Sequence, residues 1–130
     1  MSVFSKIISG EIPAHKVAET SDFLAFLDIN PLVEGHVLVI PKKEVDYIFD
    51  IDDETYAGLM IFSKIVAEGV KKAIPCKKVG VSVIGLEVPH AHVHLIPMNA
   101  VSDMNFSREK LTPSAEQLAE TAQKIRAALS

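Results

Sequence analysis

Three histidines stand at alternate positions in the segment Pro89-His90-Ala91-His92-Val93-His94-Leu95-Ile96-Pro97. In an extended strand alternate side chains share a face, so His90, His92 and His94 point one way and Ala91, Val93 and Leu95 the other. The apolar set can pack into an interior while the imidazoles line the opposite surface. Three titratable rings make a poor core and a reasonable site. An unperturbed imidazole pKa of about 6.5 leaves neutral and protonated rings both accessible near pH 7. One neutral ring can attack phosphorus when its other nitrogen is fixed by a hydrogen bond. Imidazolium or backbone N–H groups beside it can stabilise the crowded anionic transition state. A metal is the second reading, because His-x-His is a frequent ligand pattern. Strand rise separates the backbones of His90 and His94 by roughly 13 Å, too far for all three rings to reach one zinc ion with ligands about 2.1 Å away. Such a site needs His36 or an acid from elsewhere, and the sequence has no Glu-x-x-His and no cysteine pair. The third reading is three surface histidines on an edge strand with no role.

The elements that must position these rings follow from periodicity and caps. A short helix is expected over Val3 to Ser9, with Ser2 as N-cap and Gly10 at its stop. Phe23–Leu27 and His36–Ile40 read as strands, separated by the Asn30-Pro31 turn signal. Residues 52 to 73 read as one long helix capped by Asp52, with Leu59, Phe62, Val66, Val70 and Ala73 as its inward stripe. Two further strands, Val79 to Ile84 and Val88 to Ile96, are joined by the short connection Gly85-Leu86-Glu87, which makes them antiparallel neighbours. A last helix is expected from Pro113 to Leu129, capped by Thr112, with Leu118, Ala122, Ile125 and Leu129 buried. The sum is an α+β domain, an antiparallel sheet with helices packed on one face.

Bulk properties narrow the field. A chain of 130 residues, 48% of them apolar, holds one domain's worth of core. The net charge is −4, and the basic pairs Lys42–Lys43, Lys71–Lys72 and Lys77–Lys78 form no continuous basic stretch. A polymeric nucleic acid is therefore not an expected partner, whereas a small anionic ligand is compatible. Cys76 is the single cysteine, which excludes an intramolecular disulfide and any Cys-pair zinc site. The first residues lack the apolar core of a signal peptide, and no apolar run approaches the ~20 residues of a membrane span. The expectation is a soluble cytoplasmic protein with no membrane partner. His15 and Cys76 are given no role.

The triad segment resembles the histidine triad (HIT) family motif, His-x-His-x-His-x-x with apolar x, here His90-Ala91-His92-Val93-His94-Leu95-Ile96. Three further stretches are similar to family landmarks and stand in the same order. They are Phe4 to Pro13, Phe26-Leu27-Asp28-Ile29-Asn30-Pro31, and Gly35-His36-Val37-Leu38-Val39-Ile40-Pro41-Lys42. The resemblance runs over about residues 3 to 97. It implies that residues 1–130 form one HIT-like domain with a five-stranded antiparallel sheet. It also implies a homodimer whose sheets join edge to edge, and a nucleotide site on each protomer. By position, it makes His92 the nucleophile that becomes nucleotidylated. His90 and His36 belong to the hydrogen-bonded relay around it, and His94 faces the phosphate and leaving group. It gives Asp28 the ribose hydroxyls, and places Ile7, Ile12, Phe26 and Ile29 around the base. The backbone of Glu87 and Val88 falls near the α-phosphate. Without the family, those apolar residues read equally well as core, Asp28 as a turn cap and His36 as structural.

Departures from the family pattern bear on substrate. Leu86 stands where many relatives have Gln, Ile84 where they have Asn, and the loop before the triad reads as shortened. Retention of the third histidine argues against the nucleotidyltransferase branch. The segment Asn99 to Ser107 has no regular pattern and is expected to flank the leaving-group side. The resulting expectation is a hydrolase of nucleoside phosphoramidates or dinucleotide polyphosphates that works through a nucleotidyl-histidine and needs no cofactor or metal. The alternatives are a non-catalytic purine-nucleotide-binding module and a metal-binding protein.

Overall fold

The two apolar runs at 23–27 and 37–41 are buried along almost their whole length, which happens when a sheet is covered on both faces. The computed structural model describes every residue from Met1 to Ser130. Its elements are α1 (Val3–Ile8), β1 (Lys16–Glu19), β2 (Phe23–Leu27), β3 (Val37–Pro41), α2 (Asp53–Ala73), β4 (Lys78–Ser82), β5 (Val93–Met98) and α3 (Ala115–Leu129). Short 3-10 turns lie at Ile48–Asp50 and Val101–Met104. The five strands form one sheet in the order β1-β2-β3-β5-β4, every neighbouring pair antiparallel.

The sheet separates two apolar clusters. On one side Ala25, Leu27, Val37, Val39, Val93 and Leu95 meet Leu59, Phe62, Val66 and Val70 of α2 and Leu118, Ala122 and Ile125 of α3. The two long helices thus share a face, and their stripes are those the 3.6-residue period indicates. Gly69 lets them close up, since a Cβ there would lie 2.5 Å from the Leu129 side chain. The short α1 packs on the opposite side, Phe4 and Ile7 against Leu24, Phe26, Leu38 and Ile40. This placement corrects the expectation that all helices share one face.

Local chemistry explains the other differences. The C-terminal helix starts at Ala115 rather than Pro113, because Ser114 and Gln117 form a reciprocal capping pair. The Gln117 N–H donates to Ser114 Oγ at 3.1 Å and the Ser114 N–H to Gln117 Oε1 at 2.9 Å. Asp52 caps α2 as expected, accepting from the Thr55 N–H at 3.1 Å. Strand β1 has no counterpart in the sequence reading: Lys-Val-Ala-Glu buries Val17 alone, too little pattern to register. The strand carrying the triad begins at Val93, not Val88, and β4 ends at Ser82. Residues 83–92 are therefore a long irregular connection, not a tight joint. Pro89 cannot donate to a ladder, and the Ala91 N–H donates instead to the Val45 carbonyl at 2.7 Å.

Candidate active site

Of the triad, His94 alone lies within the sheet, paired in register with Leu38 on β3 and Ser82 on β4. His90 and His92 sit on the approach to β5. Even so, Ala91, Val93 and Leu95 enter the helix-side core, and the three imidazoles are directed away from it. His36, His90, His92 and His94 are all buried, yet no buried side-chain nitrogen or oxygen lacks a hydrogen-bond partner. Unpaired, each would destabilise the fold by a few kcal/mol (about 1–3).

Those partners dictate which nitrogen of each ring carries a proton. The Leu32 N–H donates to His36 Nδ1 at 3.1 Å, so that nitrogen is bare and the proton of a neutral ring is on Nε2. His36 Nε2 lies 2.9 Å from His94 Nδ1, so it donates and His94 Nδ1 accepts. His94 then presents Nε2–H outward. On the other branch His90 Nε2 stands 2.8 Å from the Pro41 carbonyl and must donate, leaving Nδ1 to accept from Ser2 Oγ at 2.8 Å. His92 Nδ1 is 2.8 Å from the His90 carbonyl and donates to it, which leaves His92 Nε2 with an unshared lone pair. Backbone groups at two ends therefore fix a bare Nε2 on His92 and an N–H donor on His94, on rings 4.9 Å apart.

Burial keeps the supporting rings neutral. Desolvation, then the charges of His94, Lys110 and His92, lower the His36 pKa to about 3. Desolvation and then His92 lower that of His94 to about 4. Burial also lowers His90, opposed by its bond to Pro41 and the charge of Glu44. Asp28 is raised by burial, with its Asn30 N–H bond and the Lys110 charge acting against the shift. The protonated neighbour that sequence chemistry invoked is thus absent from the free protein, where His94 is a neutral donor at pH 7.

A cleft of about 330 Å³ opens over these groups, lined by Asp28, Glu87, Val88, His92 and His94 among the expected residues. His36 and His90 stand behind its wall. Phe26 and Ile7 are buried beneath, Ile12 packs on that cluster, and Ile29 is 61% exposed, turned out of any enclosed pocket. Phe4, Leu38, Phe106 and Lys110 also line the cleft and were not singled out from sequence. Phe106 packs edge-on against His94 at 4.8 Å. No periodicity marks Phe106 or Lys110, whose placement depends on a chain return after β5. Leu86, at the rim, is 88% exposed.

Asp28, His36 and His94 each bring a ligand-type atom within 4.8 Å of the others. The donor set does not suit a cation. With the Leu32 N–H occupying Nδ1, coordination through His36 Nε2 would require an imidazolate.

Comparison with known proteins adds the lineage. The HIT domain matches residues 9–101. An adenosine 5'-monophosphoramidase of Saccharomyces cerevisiae is 41% identical over 96 residues, 73% of this chain and 61% of that protein. The crystal structure of a HIT-like protein from Bartonella henselae superposes with a TM-score of 0.84 at 38% identity, covering 98% of this chain and 95% of the other. A zinc-bound histidine triad family protein from Mycobacterium smegmatis superposes with a TM-score of 0.83 at 30% identity, covering 98% and 91%.

Proposed function

The chain belongs to the histidine triad family, and from that premise we propose that it hydrolyses nucleoside phosphoramidates or dinucleotide polyphosphates through a nucleotidyl-His92 intermediate. The observation that carries this reading is the His92 tautomer: Nδ1–H is tied to the His90 carbonyl, and the bare Nε2 belongs to a ring lining the cleft. A nucleophile of this kind needs no prior deprotonation.

In the proposed cycle His92 Nε2 attacks the α-phosphorus and forms an N–P bond as the bond to the leaving group breaks. The leaving group departs with a proton drawn from solvent. The His90 carbonyl, already accepting from Nδ1–H, stabilises the positive charge that develops on the ring. His94 Nε2–H donates to a non-bridging phosphoryl oxygen, its orientation held by His36. Water then attacks phosphorus, the N–P bond breaks, and one proton returns to solvent, giving a nucleoside monophosphate and neutral His92. Asp28 takes the ribose hydroxyls, with Ile7, Ile12, Phe26 and Ile29 on the base side and the backbone of Glu87 and Val88 near the phosphate. The monophosphoramidase relative supports the substrate class.

The same reading includes a cytoplasmic homodimer of one-domain protomers. Strand β4 ends the sheet, and Val81 on it is exposed, as are Ile61 and Ile65 of α2. An open edge beside apolar side chains is a natural pairing surface. A second reading, nucleotide binding without turnover, is favoured by Leu86, which offers no donor at the cleft mouth.

Intact-protein mass after brief mixing with adenosine 5'-phosphoramidate tests the mechanism. An adenylyl adduct on the wild type and none on His92→Ala is expected. No adduct, with substrate unconsumed over hours, would select the binding module.

A further inference from the structure

We propose that Lys110 is a substrate-binding residue, carried over the cleft by the strap between β5 and α3 to supply fixed positive charge for the phosphoryl group of a nucleotide. This inference rests on the nucleotide reading above and adds a residue beyond the 9–101 segment matched to the family.

The charge inventory of the cleft motivates it. Asp28 and Glu87 are the lining acids, and Lys110 is the one lysine or arginine among the lining residues. His94 is held neutral at pH 7 by burial. An anionic phosphate entering this space meets two carboxylates, and Leu86 adds no donor. Lys110 offsets those acids and adds a fixed charge to the neutral N–H of His94.

The strap places Lys110 with definite anchors. Asp103 accepts from the Asn99 and Ala100 N–H groups at 2.8 and 3.0 Å and pairs with Arg108 at 3.5 Å. Arg108 Nη2 donates to the Leu32 carbonyl at 2.6 Å, and the Leu111 N–H to the Pro31 carbonyl at 2.9 Å. Both tethers end on the loop between β2 and β3, beside the Leu32 N–H that sets the His36 tautomer. Phe106 lies against His94 and His36 at 4.8 and 6.3 Å. Between Arg108 and Leu111, Lys110 Nζ donates to the Phe106 carbonyl at 3.1 Å. An ammonium has three donors, so two remain for a ligand. Its charge already acts inside the site, opposing the upward shift of Asp28 and contributing to the downward shift of His36.

The test is calorimetric titration of AMP and of adenosine into wild type, Lys110→Gln and Lys110→Arg. Lys110→Gln is expected to weaken AMP about tenfold, the scale of one charge-assisted hydrogen bond, and to leave adenosine unchanged. Lys110→Arg is expected to stay within about twofold for both, because the charge is kept. Wild-type affinity for AMP in Lys110→Gln, or equal loss of AMP and adenosine, would overturn the inference and leave the nucleotide reading standing. A wild type that binds neither ligand would overturn the nucleotide reading, and this inference with it.

Discussion

The two faces of the sheet use the same strands for opposite ends. Toward α2 and α3, Val93 and Leu95 join an all-apolar cluster in which shape and volume are what matter. Toward the cleft, His94 between them belongs to a chain of directed bonds from the Leu32 N–H through His36. Burial works differently on the two sides. It stabilises the aliphatic face in rough proportion to area, whereas it destabilises an imidazole unless every nitrogen shut off from the cleft is matched. The helix face can therefore exchange similar residues, while the histidine face must be right atom by atom. Stability is expected to reside mostly on the first and chemistry on the second.

That contrast can be broken most directly at His92. His92→Ala is expected to lower turnover of adenosine 5'-phosphoramidate by at least about a thousandfold, as loss of a nucleophile does, with a far smaller shift in the urea midpoint. A variant that lost its fold along with its activity would erase the distinction. On the other face, Leu59→Ala should destabilise by about 2–5 kcal/mol, since Leu59 is fully buried. The kcat of its folded fraction should stay within a few-fold of wild type, measurable by combining denaturation with steady-state assays.

Acid sharpens the comparison. His36 and His94 are held at about 3 and about 4 against an ordinary 6.5. A depressed folded-state pKa means that the unfolded chain binds protons first, so stability is full above pH 6.5 and falls as pH drops from there toward 4 and 3. Between pH 6.5 and 5 each ring should remove about 2 kcal/mol. Urea unfolding at pH 7, 6 and 5 would show that slope, and His36→Gln should flatten it. The smallest expected effect is at the α3 cap. Ser114→Ala should destabilise by about 1 kcal/mol, read as a midpoint shift with kcat unchanged, because the side-chain hydrogen bonds of the capping pair are made to each other and to no residue of the triad.

Much of this architecture was legible in the chain. The stripe of α2, the caps at Ser2 and Asp52, the two central strands and the division between Ala91, Val93, Leu95 and the three histidines all follow from local period and side-chain chemistry, because each concerns residues near one another in sequence. β1 is not legible because one buried valine makes no pattern. The course of 83–92 is not legible locally because its backbone bonds go to distant partners such as Val45. The face chosen by α1 depends on the apolar underside of β2 and β3, which no helical period can report.

At the site the division falls between residue type and proton position. Period two and a run of imidazoles make phosphorus chemistry one reading of the triad, and the family resemblance singles out His92 within it. Which of its nitrogens is bare depends on the His90 carbonyl. The N–H of His94 depends on Leu32, 62 positions earlier in the chain. Phe106 and Lys110 reach the cleft through a return of the chain after β5. The His92 tautomer rests on a carbonyl two residues away, whereas that of His94 is relayed from a distant loop; a ligand cleft likewise is made by segments that meet only on folding, so the donor and the cleft come from tertiary structure rather than from any local stretch of sequence.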